Sequence, residues 1–211
     1  MCKAIKHYKK INNKGSALVT VLIAGFFAAI IVTILLFVTV RNYKQRAIEY
    51  QSKQNFYQAE KALDELKTIL IEDCSNSCND SYSKVLDDYI NLSGEERQST
   101  YYSDFVSFEK DLWEERTSDE ELLDAIKELV SEDYKECFES IGDITYDEKE
   151  GYILFEDIVV SCSTIEGYYS RIKTNIRVDA PAIDWGNGAS NSEISTVNME
   201  DFVVYSNWQR D

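Results

Sequence analysis

The sequence predicts an α+β protein: a long N-terminal membrane-spanning helix that continues into a globular head with a helical insert and a small antiparallel sheet. Three observations predict it. Residues 16–40 carry no charged side chain. Residues 41–71 contain no Pro or Gly and place apolar side chains at helical spacing. Beyond residue 140 the texture changes to short runs of β-branched and aromatic residues, the clearest of them strictly alternating. The expected divisions are a basic leader at 1–15, the apolar half of the long helix at 16–40, its amphipathic half at 41–71, and a head at 72–211. Within the head, 72–140 reads as helical insert and 141–211 as antiparallel sheet.

The leader holds Lys3, Lys6, Lys9, Lys10 and Lys14 and no acid. The chain of 211 residues has a net charge of -16, so residues beyond 40 carry 17 basic and 38 acidic side chains, a net of -21. Roughly 170 residues remain after the leader and apolar run, enough for one domain with a core. So acidic a head would repel phosphates, and nucleic acid is not an expected partner. His7, in the leader, is the only histidine. A chain beginning at Ser16 could run neither a Ser-His-Asp nor a Cys-His mechanism, and could offer no imidazole to a metal. No GxGxxG, GxxxxGK or HExxH pattern occurs. No cofactor is expected.

Ser16–Val40 is long enough to span a hydrocarbon layer of ~30 Å, and is apolar on every face, unlike a core helix. Ser16, Thr20, Gly25, Thr33 and Thr39 interrupt it mildly. Gly25 marks either a close-packing spot or a place where the helix softens. The lysines precede the run, so the positive-inside bias puts the N-terminus in the cytoplasm and the acidic bulk outside. A cleaved secretory signal would place a small-residue site after a shorter apolar region. Here the small residue, Gly15, stands before it.

Lys14-Gly15, followed by Ser16-Ala17-Leu18-Val19-Thr20-Val21-Leu22, resembles the class III signal of type IV prepilins and type II secretion pseudopilins. The resemblance implies cleavage after Gly15 by a prepilin peptidase, with Ser16 the new and N-methylated terminus. It departs from major pilins at three places. Ser16 stands where Phe or Met is usual, Thr20 where Glu is the fifth mature residue, and Phe37 where a proline is common. The variant looks like PilX-type minor pilins and the K-type minor pseudopilin, which share a small-residue start and a stretch similar to Tyr57-Gln58-Ala59-Glu60-Lys61-Ala62-Leu63. The resemblance covers residues 11–70. It implies as partners the peptidase, other pilin or pseudopilin subunits, the inner-membrane assembly platform and membrane lipid. The implied location is the bacterial cytoplasmic membrane, single-pass, and then a cell-surface filament.

A carboxylate in the bilayer core costs several kcal/mol unless paired. In pilins the fifth-residue Glu is neutralised by the neighbouring subunit's terminal ammonium, and that drives stacking. Thr20 carries no charge, so Ser16 and Thr20 mark an assembly end that does not call for a subunit on that side. A minor subunit at the tip or in initiation follows; the alternative is a tolerated substitution.

In the amphipathic half, Phe56, Ala59, Leu63, Leu66 and Leu70 form a stripe with Tyr50, Ala62 and Ile69 beside it. Glu49–Lys53 and Asp64–Lys67 are supporting pairs. The whole helix would run roughly 55 residues, about 80 Å. The other reading, a juxtamembrane coiled coil, has heptads too short to hold. Glu72–Ser83 reads as a polar turn. Helices are expected at about Ser83–Asn91, Tyr101–Glu115 and Asp119–Glu139, the last opened by capping boxes Thr117-x-x-Glu120 and Ser118-x-x-Glu121. Strands are expected at Ile144–Asp147, Tyr152–Cys162, Tyr168–Val178 and Phe202–Ser206, with hairpin turns at Glu150-Gly151 and Glu166-Gly167.

In the loop Ala180–Glu193, Asp184, Asn187 and Glu193 are oxygen donors of the kind Ca²⁺ takes; an ordinary solvated loop is the alternative. Cys2 falls in the leader. Cys74, Cys78, Cys137 and Cys162 allow three disulfide connectivities, of which Cys74–Cys78 with Cys137–Cys162 is the expected one. A four-cysteine zinc site and free thiols are the alternatives. Glu95-Glu96, Glu114-Glu115 and Asp119-Glu120-Glu121 are dense enough to raise two-carboxylate catalysis, but such runs are usually solvated helix faces, and an enzyme is not expected. The expected function is a minor structural subunit of a type IV pilus or a related type II secretion-like filament. The alternative is an unprocessed, single-span, membrane-anchored extracellular binding or sensor protein.

Overall fold

The computed structural model describes residues 13–163, 168–185 and 197–210. They form helix α1 (Asn13–Asp87), α2 (Gly94–Arg116), α3 (Leu122–Leu129), α4 (Glu132–Lys135) and strands β1 (Phe138–Ser140), β2 (Ile144–Asp147), β3 (Tyr152–Ser163), β4 (Tyr169–Asp179) and β5 (Val203–Arg210). A 3-10 turn, Met199–Phe202, leads into β5. The fold is α+β, with a long N-terminal apolar helix and a small antiparallel sheet. The chain divides into two compact units, Met1–Tyr50 and Gln51–Asp211.

In the second unit, α1 buries Asn55, Ala59, Leu63, Leu66, Leu70, Cys74, Cys78, Ser81 and Val85, spaced three and four apart along one face. The expected turn at Glu72–Ser83 is instead the continuation of α1, and of the expected helix at Ser83–Asn91 only the part to Asp87 is helical, as the end of α1, with a turn over 88–91. Serine and asparagine favour turns because their side chains can bond the backbone. Here they do so without leaving the helix. Asn79 Nδ2 donates to the Ser75 carbonyl at 2.7 Å, Ser81 Oγ to Ser77 at 2.6 Å, and Ser83 Oγ to Asn79 at 2.8 Å. Beyond Asp87, the Arg97 guanidinium donates to the Tyr89 carbonyl from Nε at 3.1 Å and from Nη2 at 2.7 Å, and lies 3.5 Å over the Tyr89 ring.

Helix α2 starts earlier than expected because Ser93 and Glu96 form a capping box: the Ser93 N–H donates to Glu96 at 2.8 Å and the Glu96 N–H to Ser93 Oγ at 3.4 Å. The two capping boxes expected at Thr117 and Ser118 do not form. Thr117 closes α2 instead, its Oγ1 donating to the Trp113 carbonyl at 2.7 Å, and Glu121 begins α3 with no side-chain bond. The single helix expected over Asp119–Glu139 is three elements, α3, α4 and β1. It breaks at Val130–Ser131, where Glu65 of α1 accepts from the Ser131 N–H at 2.8 Å and from its hydroxyl at 3.0 Å. That is a tertiary contact 66 positions away, invisible to local pattern.

The sheet runs in the order β1-β3-β4-β5, all antiparallel, with β2 also pairing β3. Strands β2, β3 and β4 match the expected runs to within a residue at each end, and β5 continues past Ser206 to Arg210. Ile172, Thr174, Ile176 and Val178 face the interior as their alternation requires. At the β2–β3 turn Gly151 takes φ +70°, and Asp147 Oδ1 accepts from the N–H groups of Lys149 and Glu150 at 3.0 and 2.9 Å. The turn at Glu166-Gly167 lies outside the described residues. A bulge between Phe155 and Ile158 puts Asp157 at φ 51°, its N–H donating to Asn175 Oδ1 at 3.0 Å.

Residues 51–85 of α1 lie along the sheet. Asn55 Nδ2 donates to the Tyr168 carbonyl at 2.6 Å and Ser170 Oγ to Ser52 at 3.0 Å at one end; Cys74 Sγ is 3.9 Å from the Asp179 carbonyl at the other. The helix therefore follows β4 in the same direction. Helix α2 packs beside it, Trp113 meeting Phe155 edge-on at 5.1 Å.

Candidate functional site

Two regions carry the residues singled out by the sequence. The first is the apolar part of α1 in the first unit. Among the described residues it is the one helix long and apolar enough to cross a membrane. From Leu18 to Val40 its large side chains are exposed around the whole circumference, Phe37 by 70% and Val21 by 70%. Such a surface exceeds what a monomer leaves to water and calls for an apolar environment. Two of its polar interruptions are satisfied within the helix: Thr33 Oγ1 donates to the Ala29 carbonyl and Thr39 Oγ1 to the Leu35 carbonyl, both at 2.8 Å. A Cβ at Gly25 would meet nothing within 4 Å, so this glycine is not required by a contact inside the chain. Gly15 and Ser16 lie within the α1 backbone, and Thr20 is exposed on the same helix.

The second region lies between α1 and α2. Arg116 holds Asp73 through both carboxylate oxygens, at 2.6 and 3.0 Å. Beside them Glu109 is only 2% exposed, and its Oε1 has no hydrogen-bond partner. Burial pushes the Glu109 carboxyl up to about 7, Asp73 adding to the rise and Ser77, Arg116 and Trp113 opposing it. The sequence reading missed Glu109, although a signal existed. Tyr101, Phe105, Glu109 and Trp113 recur every four residues, so one carboxylate sits on the buried stripe of α2.

Of the four head cysteines, Cys137 and Cys162 are joined, tying the segment before β1 to β3, their Cα atoms 5.1 Å apart. Cys74 and Cys78 are free thiols, correcting the expected second disulfide. The turn it was to bridge does not exist; both stand on α1 with their Sγ atoms 3.9 Å apart. The contact with Cys78 and burial raise the Cys74 thiol well above its ordinary range. The cysteines do not converge on one point, and no cluster of metal-ligating side chains occurs among the described residues. Asn187 and Glu193 of the calcium reading lie outside the described residues.

The acidic runs face solvent. Glu96 caps α2, the Ser93 N–H holding its carboxyl below the usual range, and Glu114 pairs with Lys110 at 3.7 Å. Asp119, Glu120 and Glu121 line a shallow surface depression that also exposes Lys127 and Lys135. Comparison with family models, with curated proteins and with solved structures finds no match to this chain.

Proposed function

We propose that the chain is a minor structural subunit of a type IV pilus or a related type II secretion-like filament, acting without catalysis. It is held in the bacterial cytoplasmic membrane by α1, cut after Gly15 by a prepilin peptidase and assembled through its N-terminal helix at the tip or in initiation. The observation that carries this reading is α1 itself. One helix without proline runs through the Lys14-Gly15-Ser16 join, apolar on every face to Val40 and amphipathic from Asn55 to Val85. An assembly helix needs both kinds of surface, the first for lipid and then for neighbouring helices, the second for its own head.

A second reading, an unprocessed single-span anchor carrying a binding or sensor head, is favoured by the start of α1 at Asn13, on the leader side of the join. The N-terminal residue of the protein recovered from membranes decides between them. Methylated Ser16, lost when Gly15→Val is introduced, supports the subunit. An intact leader unaffected by Gly15→Val supports the anchor.

A further inference from the structure

The first cations beyond the apolar run are Arg41, Lys44 and Arg46, and the first acid is Glu49. In the second unit seven of the fourteen cations sit on carboxylates, among them Lys84 on Asp104, Arg116 on Asp73, Arg171 on Glu139 at 2.9 Å and Lys173 on Asp157 at 2.8 Å. None of Arg41, Lys44 and Arg46 makes an ion pair among the described residues, although the chain has 38 acids, and all three are exposed. The next carboxylate in the sequence, Glu49, accepts a hydrogen bond from Gln45 at 3.2 Å. Between the cations Tyr43 is 75% exposed, an amphipathic ring at the position where such rings favour a membrane interface.

The spacing suits one headgroup layer. At 1.5 Å per residue, Arg41 to Arg46 covers about 7 Å, and each polar layer of a bilayer is about 5–8 Å deep. Glu49, nine residues past Val40, would stand about 13 Å beyond the hydrocarbon edge, outside that layer. At 3.6 residues per turn Arg41 and Lys44 occupy neighbouring faces and Arg46 the opposite one, so the cations ring the helix.

We propose that Arg41, Lys44 and Arg46 form a collar that binds the phosphate groups of anionic phospholipids in the leaflet from which the apolar helix emerges. The proposal rests on the membrane reading above. The long stems of these side chains lie along the helix while their charged ends reach phosphate. The collar fixes the depth of α1 and offsets the repulsion between an acidic chain and an anionic surface.

The test uses the full chain reconstituted in nanodiscs of phosphatidylcholine and phosphatidylglycerol in equal amounts, with the lipids retained after detergent exchange counted by native mass spectrometry. At low salt, phosphatidylglycerol is retained over phosphatidylcholine by up to the order of a hundredfold, from about fivefold per cation. The triple variant Arg41→Gln, Lys44→Gln, Arg46→Gln loses the preference. Removing the same charge elsewhere, by Lys110→Gln, Lys135→Gln and Lys149→Gln, keeps it. Equal retention of both lipids by the unaltered chain, or a triple variant that still selects, overturns the collar. So does a triple variant that selects normally but no longer binds a partner subunit, which would assign the cations to protein carboxylates. Displacement by inorganic phosphate beyond that by chloride at equal ionic strength overturns it too, by assigning a free-phosphate site. Resistance to alkaline extraction separates the two readings: a chain extracted from every bilayer fails both, whereas one that inserts without lipid preference fails the collar alone.

Discussion

Arg116 donates two hydrogen bonds to Asp73 and so ties the last turn of α2 to the buried face of α1. The side chains keep only 21% and 11% of their exposure, so the pair is largely removed from water. Removing the cation leaves a carboxylate partly buried beside Glu109. Arg116→Ala is expected to cost about 2 kcal/mol, below the full cost for a dry pair because solvent still reaches both partners. Asp73→Asn, which keeps the shape and one acceptor, costs less. Thermal unfolding of the full chain in detergent, followed by circular dichroism, measures both.

Glu109 makes stability depend on pH. Its carboxyl titrates near 7 when folded and near an ordinary 4.5 when unfolded, so between these values the native state holds a proton that the unfolded chain releases. The stabilising contribution is complete below about 4.5 and is lost as pH rises through 7, a fall of about 3 kcal/mol. The groups facing it are Asp73 and Cys74 of α1, Arg116 of its own helix and Tyr146 of β2. Glu109→Gln removes this fall. Denaturant midpoints of both proteins across pH 4.5–8 check it, and parallel curves would exclude Glu109 as the source.

Gly151 is needed twice over. Its φ is +70°, and a Cβ there would stand 2.4 Å from the Tyr102 ring. Gly151→Ala is expected to destabilise by about 2 kcal/mol, part backbone and part clash. Adding Tyr102→Ala to that variant removes the two contacts with the ring, leaving the Tyr102 Cβ at 3.0 Å and the backbone cost. A double-mutant cycle therefore shows a coupling energy between the two positions.

Cys74 and Cys78 are expected to be silent to Ellman's reagent in the folded protein and to react after unfolding without reductant. Both thiols are buried, and the contact with Cys78 together with burial suppresses ionisation of Cys74. Cys137 and Cys162 contribute no thiol until reductant is added. Breaking that bridge, which spans a separation of 25 residues, by Cys137→Ala with Cys162→Ala should cost about 3 kcal/mol.

The pattern of residues 144–179 was enough to locate β2, β3 and β4, because alternation is a local consequence of the pleat and needs no partner to be seen. The apolar character of α1 was legible for the same reason: it depends on side-chain type alone. Glu72–Ser83 was not legible. Its serines and asparagines suit a turn as well as a helix, and burial of Cys74, Ser77, Cys78 and Ser81 against the rest of the second unit decided for the helix. The break between α3 and α4 likewise depends on Glu65 reaching Ser131 from another element.

By itself the sequence determined that a helix without charge from residue 16 to 40 precedes an amphipathic continuation and a sheet, since composition and periodicity are properties of neighbouring residues. Only the tertiary structure decided which cysteines meet, that Arg116 finds Asp73, and that Glu109 is shut away from water. Those outcomes depend on distances between residues far apart in the chain, and the free energy of a charge or thiol is set by what packs around it.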